Sequence, residues 1–150
     1  MIRFVLVLFY ALVACAPEQE KTDLRNSIEG TWQLISAESI VEGDTIFTDY
    51  TIGMKEIKML NENYFAFFQH DLNKGTDSLL AKYVSGGGSY SFIDGHYIEN
   101  LEYCTARKWE GHTFEFELMV SGDTLIQDGR EKIEELGVDR IIRETYVKLN

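Results

Sequence analysis

Tyr97, Glu99 and Tyr103 recur at even spacing through residues 96–104, so on a strand all three project from one face. An Asp94-Gly95 turn just before them would fold the preceding strand back and bring Tyr90 opposite. Phe67 and His70 belong to an aromatic stretch upstream, Tyr64 to His70, with His70 placed to line a barrel mouth. If these faces point inward, several phenols and one carboxylate share an apolar pocket. A buried phenol must find a hydrogen-bond partner, and such pockets orient ligands that are part apolar and part polar. Glu99 would then be a desolvated carboxylate with a raised pKa and, with His70, a candidate general base. If they point outward, Glu99 is a surface acid. The aromatics then have a second explanation as core, because an eight-stranded barrel either fills its interior or holds one small ligand.

Chemistry beyond binding has little support. His70, His96 and His112 are too dispersed for a metal-binding spacing, and the pattern implies no cofactor. Nucleophile elbows, phosphate-binding loops and Ser/His/Asp spacings are missing. Gly86-Gly87-Gly88 precedes no helix and reads as a bulge or sharp bend in a strand. Cys104 lacks a neighbouring base and reads as a buried, inert thiol.

The elements that would position this pocket begin after an export signal. Arg3 is followed by an apolar run from Phe4 to Leu12, then Leu12-Val13-Ala14-Cys15. The run is well short of the roughly 20 residues of a spanning helix and reads as a removed signal over residues 1–14. Cys15 occupies the lipobox position, where its thiol would carry a diacylglycerol. Lipid chains contribute about 0.8 kcal/mol of membrane affinity per buried methylene. Residues 15–28 are then the lipidated cysteine and a polar tether. Removing the signal takes away Arg3 alone, leaving 13 basic and 25 acidic side chains in 136 residues, a net charge of −12. That length makes one domain, and that sign disfavours nucleic acid and would attract a basic protein.

From residue 29 onward the pattern is strand, turn, strand. Thr113 to Val120 alternates cleanly, with Phe114, Phe116, Leu118 and Val120 on one face. Eight or nine short strands with hairpin-length links predict an all-β fold, an antiparallel up-and-down barrel. The run Glu131-Lys132-Ile133-Glu134-Glu135-Leu136 before Gly137 predicts a short helix ahead of the last strand.

Gly30-Thr31-Trp32 opens the first strand, and here the chain resembles lipocalin-like families, whose Gly-x-Trp indole plugs the closed end of the barrel. The resemblance implies a structural pairing of Trp32 with Lys148 on the last strand, a basic side chain lying against the ring. Gly30-Thr31-Trp32-Gln33-Leu34, Phe65-Ala66-Phe67-Phe68, Gly86-Gly87-Gly88-Ser89-Tyr90-Ser91 and Gly122-Asp123-Thr124-Leu125 together resemble lipocalin-like lipoproteins of Bacteroidetes type. That family implies a fold and a ligand cavity for residues 29–150 but no established reaction. Glu18-Gln19-Glu20, behind the cysteine, resembles the surface-export signals of some Bacteroidetes lipoproteins.

The expectation is an outer-membrane envelope lipoprotein, periplasmic or surface-exposed, tethered through Cys15. Its barrel would bind a small, mostly apolar or amphipathic ligand without catalysis, using Phe67, His70, Tyr90, Tyr97, Glu99 and Tyr103. An inhibitor-like protein binding a basic protein partner is the alternative, and an enzyme using the pocket carboxylate or histidine comes third.

Overall fold

The computed structural model describes residues 27–149; the signal, Cys15 and the tether up to residue 26 lie outside the described residues. Nine strands follow in order: β1 (Gly30–Val41), β2 (Asp44–Asp49), β3 (Met54–Leu60), β4 (Tyr64–Asp71), β5 (Tyr83–Ile93), β6 (His96–Cys104), β7 (His112–Ser121), β8 (Thr124–Ile133) and β9 (Val138–Leu149). Every pairing is antiparallel, each strand from β3 to β9 joins the next, and β1 closes the circle by pairing with both β9 and β3. The result is an eight-stranded closed barrel with β2 as an extra strand. The register explains the ninth strand: β1 pairs with β3 from Gly30 to Leu34 and with β2 from Ser36 to Val41. β2 and β3 are therefore two segments along the same side of β1, broken at 50–53, where the Tyr50 amide still donates to the Ile35 carbonyl at 3.0 Å.

Antiparallel order places the start of β1 and the turns at 61–63, 94–95 and 122–123 at one end. This end is plugged. Ile28, Trp32 and Leu34 are fully buried, and the Trp32 indole Nε1 donates to the Ile28 carbonyl at 2.7 Å. Lys148 Nζ lies 5.1 Å from the Trp32 ring, the pairing that the opening motif implies. Gly30 is required there: its φ is +138°, and a Cβ would stand 2.9 Å from Lys148 Cε. The links at 42–43, 50–53, 72–82, 105–111 and 134–137 gather at the opposite end, which forms the mouth.

One expectation fails for an identifiable reason. The helix before the last strand is absent: β8 runs through Ile133, and only a 3-10 turn, Glu134–Leu136, precedes β9. Six residues of helix propensity do not outweigh a ladder in which Thr124 to Ile133 pairs continuously with β9, because isolated short helices are marginal. Gly137 does end the turn, in the left-handed region at φ +64°. The glycine run does mark a bulge within a strand. β5 passes through it, with a bulge between Gly87 and Gly88 against β6. A Cβ on Gly86 would come within 2.7 Å of the Phe67 ring, so the bare backbone makes room for an inward aromatic side chain.

Candidate functional site

The lower lumen is apolar, filled by Phe65, Leu118 and Leu125 together with Trp32. Above them runs a belt of polar side chains. Lys58 on β3 is 4% exposed; its Nζ donates to Glu99 Oε2 on β6 at 2.9 Å and to Gln127 Oε1 on β8 at 2.7 Å. The same ammonium lies 4.9 Å from the Tyr97 ring and 5.4 Å from the Phe65 ring. Gln127 passes the chain on, its Nε2 donating to Glu144 Oε2 at 3.2 Å, and the Tyr146 hydroxyl donates to that oxygen at 2.7 Å. Higher up, Gln69 Nε2 donates to Glu56 Oε2 at 2.8 Å. Arg140 holds Glu131 through Nε at 2.6 Å and lies 5.8 Å from the Trp109 ring.

Such a belt is a weak source of fold stability. Desolvating an ion pair costs several kcal/mol per ion, and well-packed apolar replacements are often neutral or stabilising. Its electrostatics are correspondingly strained. Burial, reinforced by the charge of Glu144, pushes the Glu56 carboxyl up to about 8, against the opposing pull of Lys58 and Lys82. Burial also raises Glu144 and Glu131, although Lys58 and Arg140 respectively work against it. Burial and the nearby carboxylates Glu144 and Glu99 hold the Tyr146 and Tyr97 phenols well above their ordinary range. Among the described residues, the Tyr97 hydroxyl is the one buried side-chain polar atom with no hydrogen-bond partner.

Over the belt lies a cavity of about 390 Å3 that reaches the mouth. One wall carries Glu56, Lys58, Gln69, Glu131, Arg140, Glu144 and Tyr146; the other is built from Phe67, Val84, Leu101, Trp109 and Phe114, and Tyr50 and Lys82 also line the space. The space equals that of about a dozen waters at ~30 Å3 each. A wider trough of about 680 Å3 lies outside the barrel over Gly86–Gly88, walled by Tyr64, Phe68 and Tyr103. Its polar end holds Arg107 and Glu110, already paired to each other at 3.1 Å. The interior cavity is the better candidate, because it alone combines enclosure with convergent polar groups.

The six residues expected to bind ligand separate in space. Phe67 lines the cavity, and Glu99 and Tyr97 point inward at the belt beneath it. Tyr90 is buried lower down, its ring tilted against that of Tyr97 with centroids 5.3 Å apart, its hydroxyl donating to the Asn61 carbonyl at the plugged end. Tyr103 does not share the inward face: it is 68% exposed. The bulge is the reason. Gly87 pairs with Tyr103 while Gly88 pairs with Leu101, so Glu102 is the extra residue and the side-chain alternation reverses beyond it. Leu101 and Cys104 are inside instead. His70 is exposed on β4, its Nδ1 2.9 Å from the Asp71 carbonyl, and does not line the cavity.

Glu56, Gln69, Gln127, Arg140 and Glu144 were missed by the aromatic pattern. A different signal marks them: polar residues in the inward phase of otherwise apolar alternation, as in Leu125-Gln127-Gly129-Glu131-Ile133 and Ile142-Glu144-Tyr146. No set of three or more His, Cys, Asp or Glu side chains among the described residues is arranged to hold a metal ion. No helix among them is long and apolar enough to cross a membrane. Compared with known family models and with curated proteins, the chain matches none. The cavity's chemistry is therefore read from its own walls.

Proposed function

We propose that this protein is an envelope lipoprotein, anchored through Cys15, whose barrel binds a small amphipathic molecule without transforming it. One observation carries the reading: a half-enclosed cavity of about 390 Å3 that opens at the mouth, with an aromatic wall facing a polar wall. The polar belt moves the expected ligand from mostly apolar to amphipathic, with its polar group turned toward Glu56 and Glu144. The described chain begins at the plugged end, opposite the mouth. No side chain in the cavity is placed as a nucleophile beside a base, which favours binding over catalysis.

Native mass spectrometry of the protein purified from its own source tests this. A small molecule is expected to remain bound, to leave on denaturation, and to be absent from Val84→Trp, which fills the cavity. Retention of the same molecule by a folded Val84→Trp variant, or a bare polypeptide mass from native material, would overturn the reading.

A further inference from the structure

Four carboxylates stand in or beside the cavity, and they are not equivalent. Glu99 has the Lys58 ammonium at 2.9 Å, and Glu131 has the Arg140 guanidinium at 2.5 Å. Glu56 and Glu144 have neutral donors only: the Gln69 amide on Glu56, and the Gln127 amide and Tyr146 hydroxyl on Glu144. Glu56 sits on β3 and Glu144 on β9, the two strands flanking β1; Leu34 of β1 is paired with Glu56 on one side and Tyr146 on the other. Two strand spacings, roughly 10 Å, separate the strands, and Glu144 lies two residues before Tyr146 on β9, paired with Ala37; both side chains line the lumen, so a single bound group would reach both. Across the cavity stand the aromatic side chains of Phe67, Trp109 and Phe114. A cation set before two carboxylates with aromatic rings opposite gains from both kinds of contact.

We propose that the ligand is a small organic cation: an ammonium group on an apolar or aromatic body, its charge against Glu56 and Glu144 and its body against Trp109 and Phe114. This rests on the cavity's being a ligand site and names the chemistry that fits it.

The proposal makes binding proton-coupled. In the free protein the Glu56 carboxyl keeps its proton up to about pH 8, because it is buried beside Glu144. An arriving cation favours the ionised form and displaces that proton. The other facing groups do not reverse this response. Lys58 and Lys82 oppose the Glu56 shift and are outweighed by burial. The Tyr50 and Tyr146 phenols are shifted upward and stay neutral, while burial raises Glu144, and raises Glu131 even beside Arg140, so these carboxyls respond in the same direction as Glu56.

The test uses three probes of one shape: phenethyltrimethylammonium, its neutral tert-butyl isostere, and 3-phenylpropanoate. Titration calorimetry is run at pH 6.5 and 8.5, in buffers of different ionisation enthalpy. The fixed-charge cation should bind tightest, about twenty-fold better at pH 8.5 than at 6.5, with close to one proton released per molecule at pH 6.5. Glu56→Gln, a near-isosteric copy of the protonated acid, should sharply reduce the pH dependence and the proton release, leaving only what the burial-raised Glu144 contributes, and Glu144→Gln should weaken binding at both pH values. Tighter binding of the neutral or anionic probe, or pH-independent binding of the cation, would overturn the cationic ligand while leaving the cavity reading intact. Silence from all three probes, together with a bare mass for the native protein, would overturn both.

Discussion

Lys58 reaches across the barrel lumen to Glu99, 2.9 Å away, and ties β3 to β6, strands that are not neighbours in the sheet. Both side chains are almost wholly enclosed, so neither charge has water to fall back on. Lys58→Met should leave Glu99 buried without its cation and destabilise the fold by about 3–5 kcal/mol. Adding Glu99→Leu should restore most of that loss. Urea unfolding of the single and double variants reads the difference, and equal loss in both would mean that the pair acts through packing rather than charge.

Glu56 gives stability a slope with pH. Its folded pKa is raised from 4.5 to about 8, so between those values the folded state keeps a proton that the unfolded chain has released. Stability from this group is therefore fully present below about pH 4.5 and lost as pH rises toward 8. The slope is at most roughly 1.4 kcal/mol per pH unit. Glu56→Gln should flatten the decline and be the more stable protein at pH 9, as thermal unfolding across pH 5 to 9 would show.

At the plugged end, Gly30 makes room for Lys148 over the Trp32 indole. Gly30→Ala should displace the lysine and strain a backbone at φ +138°. Lys148→Ala should cost about 0.5–2 kcal/mol through the lost cation–π contact. Both changes should shift Trp32 fluorescence, whereas neither should alter ligand retention, because the cavity lies toward the other end.

Phe67 and Tyr103 test where the site lies. Phe67 lines the cavity, while Tyr103 is turned out by the bulge at Glu102. Phe67→Ala should weaken retention of the bound molecule at least several-fold, and Tyr103→Ser should leave it unchanged. The opposite pattern in native mass spectra would move the site to the outer trough over Gly86–Gly88.

The barrel itself was legible in the sequence because period-two alternation is a local signal. Phe114, Phe116, Leu118 and Val120 point inward as their spacing predicts. The Trp32–Lys148 pairing was legible through the opening motif. Tyr103 was not, since counting by two along β6 fails at Glu102, and a bulge is set by the partner strand rather than by the residues beside it. The run from Glu131 to Leu136 misled for a related reason: its helix propensity is local, while the β9 ladder that overrides it is not. Glu56 and Glu144 lie far apart in the chain and meet only because β1 closes the barrel between them, so alternation could mark each as inward but could not announce that they share one wall.

An experimental structure of the protein purified from its own source tests the central claim most directly. The account predicts density for a small molecule inside the barrel, between Glu56 and Glu144 on one wall and Trp109 and Phe114 on the other. A lumen packed shut by side chains, or a molecule seated in the outer trough beside Tyr103 with the interior unliganded, would contradict it.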